Sequence, residues 1–189
     1  MYSPRKLRCH TYYCLVGLLA TTGMRSGEAI RLADGDVNLA EGMITIRESR
    51  FGKSRVVPLH RTTVKTLAAY KARRDAFLKK IGAPTFFVSE RRQPISSPHK
   101  SFRNICCTAG LETMREGVRP RMHDLRHTFA VQTLLAWYSR GADVERNLPI
   151  LSTFLGHSRV ENTYWYLSST PELMGAACER LETRWRRSQ

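Results

Sequence analysis

The stretch Leu155-Gly-His-Ser-Arg-Val-Glu-Asn-Thr-Tyr-Trp-Tyr-Leu167 places a histidine and two tyrosines just after a glycine. The preceding residues, about Asp143 to Leu155, carry a helical pattern that Gly156 terminates. Ser158 with Glu161 has the spacing of a capping box, which predicts a restarted helix running to about Leu167. In one unbroken helix His157 and Tyr166, nine residues later, would point to opposite faces, and a restart between them can bring both to one place. Tyr164 and Tyr166 differ by about 200° around a helix, so only one of them faces a given partner. The residues alone leave open which one.

Upstream, Met122-His-Asp-Leu-Arg-His-Thr-Phe-Ala130 opens a helix whose apolar stripe continues through Val131, Leu134, Leu135 and Trp137 to Gly141. Asp124 is the predicted N-cap. His123 and Arg126, three residues apart, project from neighbouring positions of the helix start, where the helix dipole and open N–H groups favour an anion such as phosphate. The plain alternative is two polar residues at a surface cap. Downstream, Glu172 to Arg184 reads as an amphipathic closing helix with Leu173, Ala176, Ala177 and Leu181 on one face.

Near the start, residues 10 to 22 are apolar almost all round, which predicts a buried helix stopped by Gly23. The apolar run Tyr12 to Met24 is too short to span a bilayer and lacks the cleavage site of a secretory signal. Gly23-Met-Arg-Ser-Gly-Glu28 follows, with a second helical pattern over about Ser26 to Ala33, so Arg25 lies at a junction beside a buried element. An arginine there needs an anion, either a ligand or the carboxylate of Glu28. Beyond it the period becomes strand-like: Met43-Ile-Thr-Ile-Arg47 alternates and Val56-Val-Pro-Leu59 is β-branched, which predicts a hairpin or small sheet. Its connecting segment carries Arg47, Arg50, Lys53 and Arg55, a cationic tip suited to a groove walled by phosphates, or simply a solvated turn. Thr62 to Ile81 is a basic amphipathic helix with Val64, Leu67, Ala68, Phe77 and Leu78 inward and Lys71, Arg73, Arg74, Lys79 and Lys80 outward. Gly82 to Pro98 is loop with a minor strand at Phe86-Phe-Val88, and Ser97 to Thr108 is a further helix.

A chain of 189 residues suits a single domain, and 31 Lys and Arg against 16 Asp and Glu give a net charge of +15. Charge of one sign spread along a whole chain repels itself unless a polyanion neutralises it, so nucleic acid is the expected partner. Five cysteines, an odd number with no CxxC pair, argue against a disulfide scaffold and point to a reducing, cytoplasmic setting, and a nucleic-acid partner makes nucleoid association the expectation. Cys106, Cys107 and His99 match no zinc spacing, so no metal is expected.

Three motifs in order resemble the catalytic domain of the tyrosine recombinases, the phage-integrase family. Gly23-Met-Arg-Ser-Gly-Glu28 looks like its first arginine motif, His123-Asp-Leu-Arg126-His127 like its HxxR motif, and Leu155-Gly-His157 with Tyr166 like its histidine and nucleophile. The resemblance implies a mainly α-helical α+β fold with a small antiparallel hairpin or sheet, and a site-specific recombinase or integrase acting on double-stranded DNA through a covalent 3′-phosphotyrosine. It implies no metal and no small-molecule cofactor, a homo-oligomer (a tetramer on paired sites), and a mobile-element role in integration, excision or transposition. Arg25, Lys53, His123, Arg126, His157 and Tyr166 would be catalytic, with Glu28 and Asp124 supporting and Arg50 and Arg55 on DNA. The family's leaving-group lysine sits eight residues before a proline like Pro58, where this chain has Arg50; arginine donates protons poorly, so the expectation passes to Lys53. Residues 1–189 would form the catalytic domain, with the family's N-terminal DNA-binding domain absent. A truncated DNA-binding remnant and a type IB topoisomerase-like activity are the competing expectations.

Overall fold

A junction built on Gly23 sets the first half of the molecule. In the computed structural model, which describes residues 7–48, 52–79, 82–111, 118–168 and 170–186, helix α1 (Leu7–Thr22) ends where Gly23 turns left-handed at φ 61 and its N–H bonds the Leu19 carbonyl at 2.9 Å. The helix buries Leu7, Thr11, Cys14, Leu15, Leu18, Leu19 and Thr22, a single stripe at helical spacing. The expectation of a helix buried all round is corrected: Tyr13 is 71% exposed on the opposite side. Helix α2 (Ser26–Arg31) follows, and then a turn of 3-10 helix at Asp34–Asp36.

Three short strands, β1 (Val37–Asn38), β2 (Met43–Ile46) and β3 (Arg55–Pro58), form an antiparallel sheet in the order β1-β2-β3. The register pairs Ile44 with Val57, both fully buried, and Ile46 with Arg55 at the open end. Alternation therefore puts Ile44, Ile46 and Val57 inward and Met43 and Val56 outward. The small first strand escaped the sequence reading because two residues carry no period. It forms because Asn38 Oδ1 accepts the Glu41 N–H at 3.1 Å and Gly42 takes a φ of 67, which reverses the chain.

Helix α3 (Arg61–Leu78) buries Thr63, Leu67, Tyr70, Arg74 and Leu78. The Tyr70 hydroxyl lies 3.3 Å from Thr11 Oγ1 and accepts the Val88 N–H at 3.2 Å, linking α3 to α1 and to the Phe86-Phe-Val88 segment. That segment makes a lone bridge, Val88 to Pro94, where a minor strand was expected. Arg74, expected outside, is 1% exposed: it pairs with Asp34 and Asp75 at 2.6 Å each and donates to the Phe86 carbonyl at 3.0 Å. Burial alone would push the Asp34 carboxyl up, and hydrogen bonds from Lys71 and Arg74 outweigh it and hold the group below the usual carboxylate range. Helix α4 (Pro98–Thr108) starts with proline in its first turn and buries Phe102 and Cys106.

Two compact units divide the chain, Met1–Arg126 and His127–Gln189. The boundary falls within helix α5 (Met122–Ser139), whose buried positions Met122, Arg126, Ala130 and Leu134 recur every four residues. The second unit contains the rest of α5 with α6 (Val144–Leu155), α7 (Glu161–Tyr164), a 3-10 turn at Trp165–Ser168 and α8 (Pro171–Arg186). Its core joins Ala130, Leu134, Val144, Leu148, Leu151, Leu155, Tyr166 and Leu173. Asp143 caps α6 by accepting the Arg146 N–H at 3.1 Å. The observed architecture is thus mainly helical with one small antiparallel sheet, as the sequence predicts.

Candidate active site

Arg25 occupies the N-cap position of α2, and its backbone N–H donates to Glu28 Oε2 at 2.9 Å. Its Nη1 donates to Glu28 Oε1 at 3.0 Å. The ion pair offered by the sequence as the alternative to ligand binding is therefore made, yet Arg25 keeps a side-chain exposure of 28% while Glu28 has 3%. Arg55, expected on DNA, is instead turned inward. Its side chain is 10% exposed and its guanidinium forks Glu28, Nη1 to Oε1 at 3.1 Å and Nη2 to Oε2 at 2.8 Å. The reason is electrostatic, since a carboxylate this buried needs its lone pairs met by charged donors.

Arg126 is 2% exposed, and its Nη1 donates to the Gly23 carbonyl at 2.8 Å across 103 positions of sequence. That carbonyl is open to it because Gly23 has left the helical conformation. The turn that ends α1 therefore serves twice, stopping a helix and holding the second arginine two residues from Arg25 in the chain.

His123 is exposed in the first turn of α5. Asp124 does not cap that helix as expected. The helix begins at Met122, and Asp124, one turn in, accepts the Arg121 N–H on Oδ2 at 2.7 Å and the Arg121 guanidinium on Oδ1 at 3.0 Å. Arg25 and Arg121 share this arrangement, an arginine just before a helix with an acid three residues later accepting its backbone N–H. Lys53 is exposed in the β2–β3 connection; Arg50 lies outside the described residues.

In the second unit the Leu-Gly-His sequence has a backbone rationale. Gly156 takes φ 72, its N–H bonds the Thr153 carbonyl at 3.0 Å, and the His157 N–H bonds the Ser152 carbonyl at 3.0 Å, the paired bonds of a Schellman motif. His157 is thereby fixed to the end of α6. Its Nδ1 lies 2.7 Å from Oγ1 of the fully buried Thr163, which sets the ring's orientation. The predicted capping box at Ser158 is not formed: α7 starts at Glu161 with Val160 in the cap position and no side-chain cap bond. The chain does restart after His157, however, and the α-helix tightens to a 3-10 turn at Trp165.

Two positions apart after the restart, the two tyrosines face different surroundings. Tyr164 is 50% exposed and Tyr166 is 3% exposed. The Tyr166 ring stacks on His157 at 6.0 Å with an interplanar angle of 16°, and meets His127 edge-on at 5.3 Å. His127, the residue after Arg126, also lies 5.2 Å from Trp165. Nothing local in the sequence distinguishes a histidine that packs, as His127 does, from one that points to solvent. Among the described residues, no three His, Cys, Asp or Glu side chains gather in a manner that would hold a metal ion, and no helix is long and apolar enough to cross a membrane.

Residues 3–172 match the phage integrase family, and the chain belongs to that family. It is 45% identical over 187 residues to the putative integrase/recombinase y4rB of Sinorhizobium fredii, covering 97% of this chain and 60% of that protein. It is 28% identical over 166 residues to the tyrosine recombinase XerA of Pyrococcus furiosus, covering 88% of this chain and 53% of that protein. Among solved structures it resembles a XerA recombinase, with a TM-score of 0.68, 28% identity and coverage of 94% of this chain and 57% of the other. It shares its fold with XerH site-specific recombinase bound to palindromic difH substrate, at a TM-score of 0.69, 24% identity and coverage of 96% and 48%. The chain thus spans 48% to 60% of the length of these relatives.

Proposed function

We propose that this chain is the catalytic domain of a site-specific DNA recombinase or integrase, working on double-stranded DNA through a covalent 3′-phosphotyrosine. The observation that carries the reading is the Gly23 junction, where Arg126 bonds a backbone carbonyl two residues before Arg25, so that two guanidiniums far apart in sequence are tied to one turn. A phosphodiester gains charge on its non-bridging oxygens in the transition state, and paired guanidiniums stabilise that charge. Losing one such contact costs about 3–4 kcal/mol, on the order of a hundred- to a thousand-fold in rate.

In this reading Tyr166 Oη attacks phosphorus as the bond to the 5′-oxygen breaks. The phenol gives its proton to His123, and Lys53 protonates the departing 5′-oxygen. His157 donates to the phosphate from Nε2, which its Nδ1 contact with the Thr163 hydroxyl favours when that hydroxyl is the donor. Glu28 orients Arg25, Asp124 orients the start of α5, and Arg50 meets the groove. The phosphotyrosyl link conserves the bond energy, so the reverse attack by a 5′-hydroxyl reseals DNA without a nucleotide. Similarity to integrases and recombinases supports a mobile-element role and an assembly of several copies on paired sites.

The test is covalent capture. A pool of nicked duplexes of randomised sequence, which lose the short fragment once cut, is incubated with the chain and resolved under denaturing conditions. An adduct is expected with the natural chain and with Tyr164→Phe, and none with Tyr166→Phe. Absence of adduct from the natural chain, or its persistence in Tyr166→Phe, rejects the reading.

A further inference from the structure

One carboxylate holds two arginines at the Gly23 junction, and only one of the two belongs to the catalytic set proposed above. Glu28 Oε1 accepts Arg25 Nη1 at 3.0 Å and Arg55 Nη1 at 3.1 Å; Oε2 accepts the Arg25 backbone N–H at 2.9 Å and Arg55 Nη2 at 2.8 Å. The three side chains are 28%, 10% and 3% exposed for Arg25, Arg55 and Glu28. We propose that Arg55 is a positioning residue for DNA cleavage: its fork fixes the carboxylate that orients Arg25. The proposal rests on the reading of Arg25 as a phosphate ligand.

Arg55 spans both oxygens of Glu28, so the carboxylate plane is set, and Arg25 meets Oε1 through Nη1 while its own backbone N–H meets Oε2. Lysine in place of Arg55 would keep the charge but reach the oxygens as a point donor, leaving the plane free to turn. Arg55 is also the first residue of β3, paired with Ile46, so the same contact ties the end of the hairpin that carries Lys53 to helix α2.

The experiment measures the single-turnover rate of adduct formation on the nicked duplexes captured by the natural chain, together with the apparent Kd and its salt dependence. Arg55→Ala and Arg55→Lys are expected to form adduct about 10- to 100-fold more slowly at saturating DNA, with Kd and salt slope unchanged. Arg25→Ala with Arg55→Ala is expected to be no slower than Arg25→Ala alone, because the second residue acts through the first. The thermal transition of Arg55→Lys, which retains charge and stem, separates misfolding from mispositioning. Three results overturn the proposal: natural rates in Arg55→Lys, a salt slope shallower by about 0.9, which is the signature of a lost phosphate contact, or full additivity in the double variant. If the natural chain forms no adduct, the recombinase reading falls and the proposal with it; if only the Arg55 variants behave as the natural chain does, the reading stands and the proposal alone fails.

Discussion

Arg74 shows how far a residue's surroundings outrank its type. Its position within a basic helix marked it for solvent, yet it is 1% exposed and bonded to Asp34, Asp75 and the Phe86 carbonyl. The Asp75 carboxylate is 50% exposed, so water can replace the arginine there. The Asp34 Oδ1 that meets Arg74 and the Phe86 carbonyl have no such recourse, because that oxygen and Phe86 are buried. Arg74→Met is therefore expected to cost about 1–3 kcal/mol, mainly from these orphaned acceptors, and a lowered urea midpoint at unchanged slope is the measurement. Arg55 follows the same logic at the site. A cation beside a cationic loop looked like a groove contact, but Glu28 is buried and needs donors, a demand that a list of neighbouring residues in sequence does not reveal.

At the scale of elements, helix ends organise the chemistry more than helix bodies do. Gly23 and Gly156 end α1 and α6 in the left-handed conformation, and each termination holds a member of the proposed site: the Gly23 carbonyl meets Arg126, and the His157 backbone enters a Schellman motif. Gly156→Ala places a Cβ in that conformation at a cost of about 1–2 kcal/mol. A fall of about 2–8 °C in Tm is expected for a chain of this size. Adduct formation should fall more than this loss of stability explains, since His157 is moved as well; an unchanged rate below the transition would show that the turn does not position the histidine. These glycines were legible in advance because each sits just past an apolar helical run. The Ser158 capping box was not, since the Ser-x-x-Glu spacing recurs without a cap, and here Val160 takes the position before the helix.

For the whole molecule, a charge of +15 dominates association with a polyanion. DNA binding is expected to weaken linearly on log–log axes by about 0.9 per phosphate contact as salt rises, and filter binding across a salt series measures it. A flat dependence would remove the electrostatic basis for the DNA reading. Composition and periodicity sufficed for the mainly helical fold with its small sheet, for most helix spans, and for the three motifs, because each depends on local spacing and local charge. Tertiary structure decided the partners: that Arg126 meets Gly23, that Arg55 and Arg25 share Glu28, that Arg74 is internal, and that Tyr166 packs on His157 while Tyr164 faces out. Periodicity states which side of an element is apolar, whereas the identity of a buried polar group's partner depends on which distant backbone or carboxylate the folded chain brings within about 3 Å of it.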